Sequence, residues 1–271
     1  MKTKPRLSIV IMYAFLVLAC FYSVFPFYWM VSAATNKSSD VVKGRMFFGV
    51  YFWKNINALI TNVRLGRVFF NSLRNSAVGT LAALLICSLA GYAFQIFRDK
   101  YKDRLMSILL LSMMVPLATV MVPLFRMFSQ LRLLDTTAGF VLPSISTAFL
   151  IFFFRQSTVS FPLEIVQAAR VDGLSELGIY ALVYFPIMAP TFAAAGIVTF
   201  MSQWNSYLWP LVIMQTQESQ TMPLMIAGLT QSYTVDYGIL MLAVSICTVP
   251  TIVLFFTQQR RFVAGILGSI K

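Results

Sequence analysis

Residues 160–190 read SFPLEIVQAARVDGLSELGIYALVYFPIMAP. Arg170, Asp172 and Glu176 crowd three charges into a few residues of a chain that is 59% apolar and only 11% charged. Pro162 suits the first turn of a helix, where its missing N–H costs nothing, and Glu164 beside that start favours the helix dipole. Leu163, Val166 and Val171 recur at helical spacing. Ala168 and Ala169 carry so little bulk that a second surface can approach them closely. Gly173 suits the left-handed position that closes a helix, and Ser175 suits the N-cap of the next one, which runs toward Pro186 and Pro190. The stretch is expected to form a short helix, a sharp turn and a second helix. On composition it is either a helical loop lying on a lipid surface or a knob for a partner.

On both sides lie long runs without Asp, Glu, Lys or Arg: Leu7–Asn36, Asn75–Phe97, Leu105–Phe125, Thr136–Phe154, Leu177–Gln217 and Tyr237–Gln259. A helix needs about 20 apolar residues to cross a membrane. Backbone groups in lipid must be paired within the protein, which leaves helices or barrel strands. Barrel strands are short and alternate apolar with polar, and these runs do neither. The sequence therefore predicts an all-α, polytopic membrane protein with six transmembrane helices. Leu177–Gln217 is too long for one crossing and is expected to hold a cytoplasmic entry, one helix and the start of an outer loop. The first run follows Lys2, Lys4 and Arg6 and contains Val31-Ser32-Ala33, which looks like a cleavage site. It is far longer than the roughly 7–15 apolar residues of a signal peptide, so a retained helix is expected. With the N- and C-termini cytoplasmic, the inner segments hold more Lys and Arg than the outer ones, as the positive-inside rule requires.

The net charge of +12 suits anionic lipid head groups at the inner surface, and no basic-aromatic platform points to nucleic acid. Cys20, Cys87 and Cys247 lie in apolar runs, where they behave as small apolar side chains. The chain has no histidine, which removes His metal sites and His-based catalysis. It has no GxxxxGK[ST] loop for ATP, and the apolar runs hold no acid to relay protons. The chain reads as a transport subunit rather than an enzyme, with uphill movement powered by another subunit.

Ala168-Ala169, then Asp172-Gly173, then Val183 and Pro186, at this spacing, resemble the EAA loop of ABC importer permeases. The whole chain resembles the MalG-type inner-membrane permeases of carbohydrate importers, the type I binding-protein-dependent systems. Asn71-Ser72, Gly91-Tyr92-Ala93, Pro116, Pro123-Leu124, Leu134-Asp135-Thr136, Trp204-Asn205, Pro210, Pro250, Gln258 and Phe262-Val263-Ala264-Gly265 carry that resemblance in order. One position departs: the family motif begins with Glu, and here Gln167 stands there, able to hydrogen-bond but not to form an ion pair.

The resemblance implies a MetI-like fold and a multi-pass place in the cell inner membrane. Residues 1–66 would form the first transmembrane helix and outer loop. Residues 67–259 would form the permease core, with five transmembrane helices and the EAA loop at 160–186. Residues 260–271 would be a cytoplasmic tail, either a basic lipid anchor or a strand-like insert between ATPase subunits. Implied partners are a second permease, an ATPase homodimer, an extracytoplasmic solute-binding protein and a sugar. This chain would bind no cofactor, ATP and Mg being held by the ATPase. Coupling would fall to Glu164, Gln167, Ala168, Ala169, Asp172 and Gly173, the last two shaping the turn and the others facing the ATPase cleft.

Three further groups stay open between two readings. Trp204, Asn205, Ser206 and Tyr207 fit either a pore for hydroxyl-rich cargo or hydrogen bonding between helices. Asn71, Arg74 and Asn75 share a helical face and would line a pore mouth or anchor the membrane interface. The polar stretch Met214–Asp236 is a plain connector or a contact for the binding protein through Gly228, Thr230, Gln231 and Ser232. A permease for another solute, such as a glycerol phosphate, would want several pore-facing cations, and only Arg74 is a candidate. A membrane scaffold without transport is the remaining alternative.

Overall fold

The computed structural model describes residues 7–97, 99–231 and 233–268. Every regular element among them is helical. Three helices are long and apolar enough to cross a membrane alone. They lie within α1 (Leu7–Ala34), α4 (Leu65–Ile96) and α15 (Tyr237–Gly268). The other expected crossings are bent pairs. Helices α5 (Lys100–Ser112) and α6 (Leu117–Gln130) meet at 95°, and α7 (Thr137–Val141) with its 3₁₀ extension meets α8 (Ala148–Thr158) at 52°. The elements Glu176–Ile187 meet Ala189–Trp204 at 82°. Counting each pair as one span gives up to six crossings. Unbroken helices were expected for the third and fourth runs, and proline chemistry accounts for part of the difference. Pro116 stands at the N-cap of α6 with φ −64° and ψ 139°, an extended conformation. Pro190, in the first turn after the break at Met188, has no N–H to continue the helical ladder. In lipid such breaks survive only where protein re-satisfies the freed backbone groups, and Thr147 does so by accepting the Leu150 N–H at 3.3 Å.

The chain divides into two compact units, residues 1–65 with 226–249, and residues 66–225 with 250–271. In the first, α1 runs into α2 (Ser38–Val42) and α3 (Phe52–Asn62), and buried amides order the connections. Asn36 Nδ2 donates to the Ser32 and Phe47 carbonyls, each at 2.9 Å. Asn55 Nδ2 donates to the Ala34 and Asn36 carbonyls, each also at 2.9 Å.

The second unit has a core of aromatic and aliphatic side chains that includes Ala83, Cys87, Tyr92, Phe154, Val166, Ile179, Tyr184 and Phe192. Lipid tails are as apolar as these residues, so the core gains from close contact and hydrogen bonding rather than from escape from water. Helices α4 and α8 approach closely at Gly91. A Cβ on Gly91 would lie 2.5 Å from Phe154 Cβ, 2.8 Å from the Arg155 nitrogen and 3.0 Å from the Ile151 oxygen. The glycine of Gly91-Tyr92-Ala93 is there because backbone occupies the place of a side chain. Arg155 and Asp103 form an ion pair between α8 and α5. Where a strand-like tail was one reading, the chain instead stays helical in α15 through Gly268; residues 269–271 lie outside the described residues.

Candidate functional site

The opening stretch folds as a short helix, α9 (Leu163–Val171), a turn, and a second helical segment starting with α10 (Glu176–Ile179). The turn is a Schellman closure. The Leu174 N–H donates to the Ala169 carbonyl at 3.0 Å and the Gly173 N–H to the Arg170 carbonyl at 3.1 Å. Gly173 takes φ +83°, the left-handed region that costs a side chain roughly 1–2 kcal/mol. Ser175 accepts the Gly178 N–H at 3.2 Å and caps α10. Arg170 Nε reaches Glu176 Oε1 at 2.7 Å and ties the two helices across the turn.

Helix α9 has two faces. Val166 and Ala169, 1% and 7% exposed, pack into the core beside Phe161, Ile179 and Tyr184. Glu164, Gln167, Ala168, Val171, Asp172 and Gly173 are exposed, and Val171 is 88% so. This corrects the expectation for Ala169, whose small side chain fits α9 against its own chain rather than facing an outside cleft. Ala168, one position earlier, is the alanine that faces out. After α10 a π-helical turn, Tyr180–Tyr184, brings two tyrosines into the core. Tyr184 Oη lies 2.7 Å from Thr158 Oγ1, and Tyr180 Oη lies 2.6 Å from Ser88 Oγ.

A second polar cluster holds the chain between α13 (Leu208–Ile213) and α14 (Met222–Thr230). Asp135 Oδ1 accepts the Gln215 N–H at 2.6 Å, the Thr216 N–H at 3.0 Å and the Ser219 hydroxyl at 2.5 Å. Asn71 Nδ2 donates to the Glu218 carbonyl at 2.7 Å and the Gln220 carbonyl at 3.1 Å. Ser72 Oγ accepts the Met222 N–H at 2.7 Å. Asn75 Oδ1 accepts from Thr137 Oγ1 at 3.0 Å. Asn71 and Asn75, 5% and 1% exposed, are thus anchors inside the chain and not the pore-mouth residues they were open to being. Trp204 is also internal, 1% exposed, with its ring 5.9 Å from Phe200 and 5.6 Å from Phe69. Asn205 is exposed and Tyr207 partly so, and these keep the access a pore role requires.

Asp135 and Ser72 were missed as anchors, although both stood in the motifs quoted above. A lone carboxylate between two apolar runs is the signal that would have marked Asp135. Its burial works against the charged form. The hydrogen bonds from Ser219, Thr216 and Gln215 outweigh that and hold its carboxyl below the usual carboxylate range. A folded-state pKa depressed in this way gives stability that is complete above the unfolded value of about 4. That stability is lost as pH falls through the folded value. Asp135→Asn removes the charge. Hydrogen bonds to charged groups contribute about 1.5–3 kcal/mol, so the variant is expected to unfold several degrees lower at pH 7 in detergent. The difference from wild type should shrink below pH 4; a constant gap across that range would refute the role given to the charge.

Met214–Asp236 is less of a loop than its polar composition suggested. Its middle is α14, with Met222 and Met225 buried at 0% and 3%. Gly228, Thr230 and Gln231 are exposed at the end of that helix; Ser232 lies outside the described residues.

Residues 78–268 match the model of a family described as binding-protein-dependent transport system inner membrane component. The chain is similar to the lactose transport system permease protein LacG of Rhizobium radiobacter, with 43% identity over 268 residues, covering 99% of this chain and 98% of that one. It is 32% identical over 276 residues to the arabinooligosaccharides transport system permease protein AraQ of Halalkalibacterium halodurans, covering 100% and 99%. Its backbone matches the crystal structure of a bacterial ABC transporter involved in the import of the acidic polysaccharide alginate. The TM-score is 0.82 at 20% identity, covering 93% of this chain and 95% of that one, and this shows the fold expected from the sequence.

Proposed function

The chain belongs to the family of binding-protein-dependent transport system inner membrane components, and from that we propose that it is one of two permeases lining the path of an ATP-driven sugar importer. The observation that carries this reading is α9, a helix fastened by one face and presenting Glu164, Gln167 and Ala168 on the other. A short helix held this way is a rigid peg for a cleft on an ATPase subunit, with Asp172 and Gly173 setting its angle. ATP and Mg belong to that ATPase. ATP shifts the permease between inward- and outward-facing states only because its own site differs between them. Gln167, where the family has Glu, engages the cleft by hydrogen bonds instead of an ion pair.

Likeness to permeases of lactose and arabino-oligosaccharide systems over the full chain supports an uncharged sugar or oligosaccharide as cargo. Asn205 and Tyr207 are polar groups of the fifth span that stay accessible to its hydroxyls. Gly228, Thr230 and Gln231 are the contact offered to a solute-binding protein on the outer side. The test is gentle extraction of the tagged chain and mass spectrometry of its partners. One second permease, two ATPase copies and a binding protein are expected, the last selecting a neutral sugar from a panel. Recovery of the chain alone would refute the importer reading, and a binding protein that selects a phosphate ester would refute the sugar.

A further inference from the structure

The turn that ends α9 is joined to the end of α4 by a line of aromatic rings. The Arg170 guanidinium lies over the Phe97 ring, 5.6 Å from its centroid. Phe97 directly follows α4. Lys102 of α5 approaches the same ring at 5.3 Å and donates to the Phe97 carbonyl. The Phe97 ring meets Tyr92 edge-on at 6.5 Å, and Tyr92 meets Tyr184 at 4.8 Å and Tyr180 at 5.7 Å. Tyr92 is only 4% exposed. Nothing in the docking role of α9 requires this line, since the outward face is complete without it.

We propose that Phe97 and Tyr92, gripped by the Arg170–Glu176 pair, are positioning residues that carry displacement of α9 into α4. The inference rests on α9 being the coupling helix. Its physical basis is the kind of contact at each step. A guanidinium over a ring face is held by the ring quadrupole, and edge-on ring pairs prefer a fixed mutual geometry beyond what their burial supplies. Both are directional, so the rings follow the cation when α9 moves. Glu176 fixes the guanidinium plane, and the close approach of α4 to α8 at Gly91 keeps Tyr92 from yielding sideways. A leucine at position 97 would fill similar space and offer no ring face to either cation.

The test uses the complete importer in detergent, with and without Mg-ATP and orthovanadate, read by hydrogen–deuterium exchange. In the wild type, trapping is expected to change exchange in α9 and at residues 88–97, the end of α4 and the residue after it. In Phe97→Leu the change in α9 should persist while that at 88–97 falls at least twofold, and Phe97→Trp should restore it. Arg170→Gln should lower the α4 response in the same way without touching either ring. An undiminished α4 response in Phe97→Leu would overturn the inference. So would a Phe97→Leu complex whose α4 response falls only in step with a general loss of thermal stability. A wild-type complex with no change in α9 would instead remove the reading of α9 as the coupling helix, and the inference with it.

Discussion

Gly91→Ala is expected to destabilise the protein more than any other single methyl added to α4. The new Cβ would meet Phe154 Cβ at 2.5 Å, the Arg155 nitrogen at 2.8 Å and the Ile151 oxygen at 3.0 Å. Two of those three atoms are backbone, so no rotamer change relieves the clash, and α4 and α8 must separate. Separation opens the core around Phe154, which is fully buried. Overpacking of this kind typically costs about 1–3 kcal/mol, and the rigid obstacles place this case near the top of that range. For a chain of this size that corresponds to a fall in Tm on the order of 10 °C. Gly66→Ala is the control. It lies in the first turn of the same helix with nothing within 4 Å of its Cβ, and Ala is the better helix former by up to about 1 kcal/mol. Thermal unfolding of the detergent-solubilised chain compares the two, and equal Tm values would show that α4 and α8 do not approach as described.

Gly173→Pro is expected to abolish transport while leaving the protein inserted and folded. Proline fixes φ near −65°, against the +83° that the turn requires. It also removes the N–H that Gly173 gives to the Arg170 carbonyl at 3.1 Å. The Schellman closure fails, and α9 loses its fixed angle to α10. The position is open, with nothing within 4 Å of a Cβ, so the damage comes from the backbone and stays local. Gly173→Ala should therefore be mild, with a backbone cost of about 1–2 kcal/mol and partial activity. Sugar uptake and ATP hydrolysis in proteoliposomes separate these outcomes. At least a tenfold loss of uptake is expected for proline, and wild-type uptake in that variant would disprove the lever.

Both predictions were partly legible before any coordinates. Asp172-Gly173 announces a helix ending through local chemistry alone, because only glycine takes the left-handed conformation without cost. Gly91 could be noticed in its motif but not explained, since the obstacle to a side chain is Phe154, far along the chain. The same division runs through the candidate site. Glu164, Gln167 and Ala168 are exposed, but Ala169 turns in. Helical spacing fixes which residues share a face and says nothing of which face meets the core.

What the sequence determined by itself is the all-helical, membrane-spanning character. Lipid offers no partner to a backbone N–H, so long uncharged runs have hardly any other way to fold. It also determined the helix–turn–helix at 160–190, where proline, glycine and serine act within a few residues of themselves. The tertiary structure decided the rest. It set the 95°, 52° and 82° bends, because proline permits a break but neighbouring protein must satisfy the freed groups. It formed α14 inside a stretch that reads as polar, because Met222 and Met225 had a core to enter. It also turned Asn71, Asn75 and Trp204 inward. An amide that lines a pore and one that clamps a loop are the same residue in the same run, and only the carbonyls brought to it across the chain make the difference.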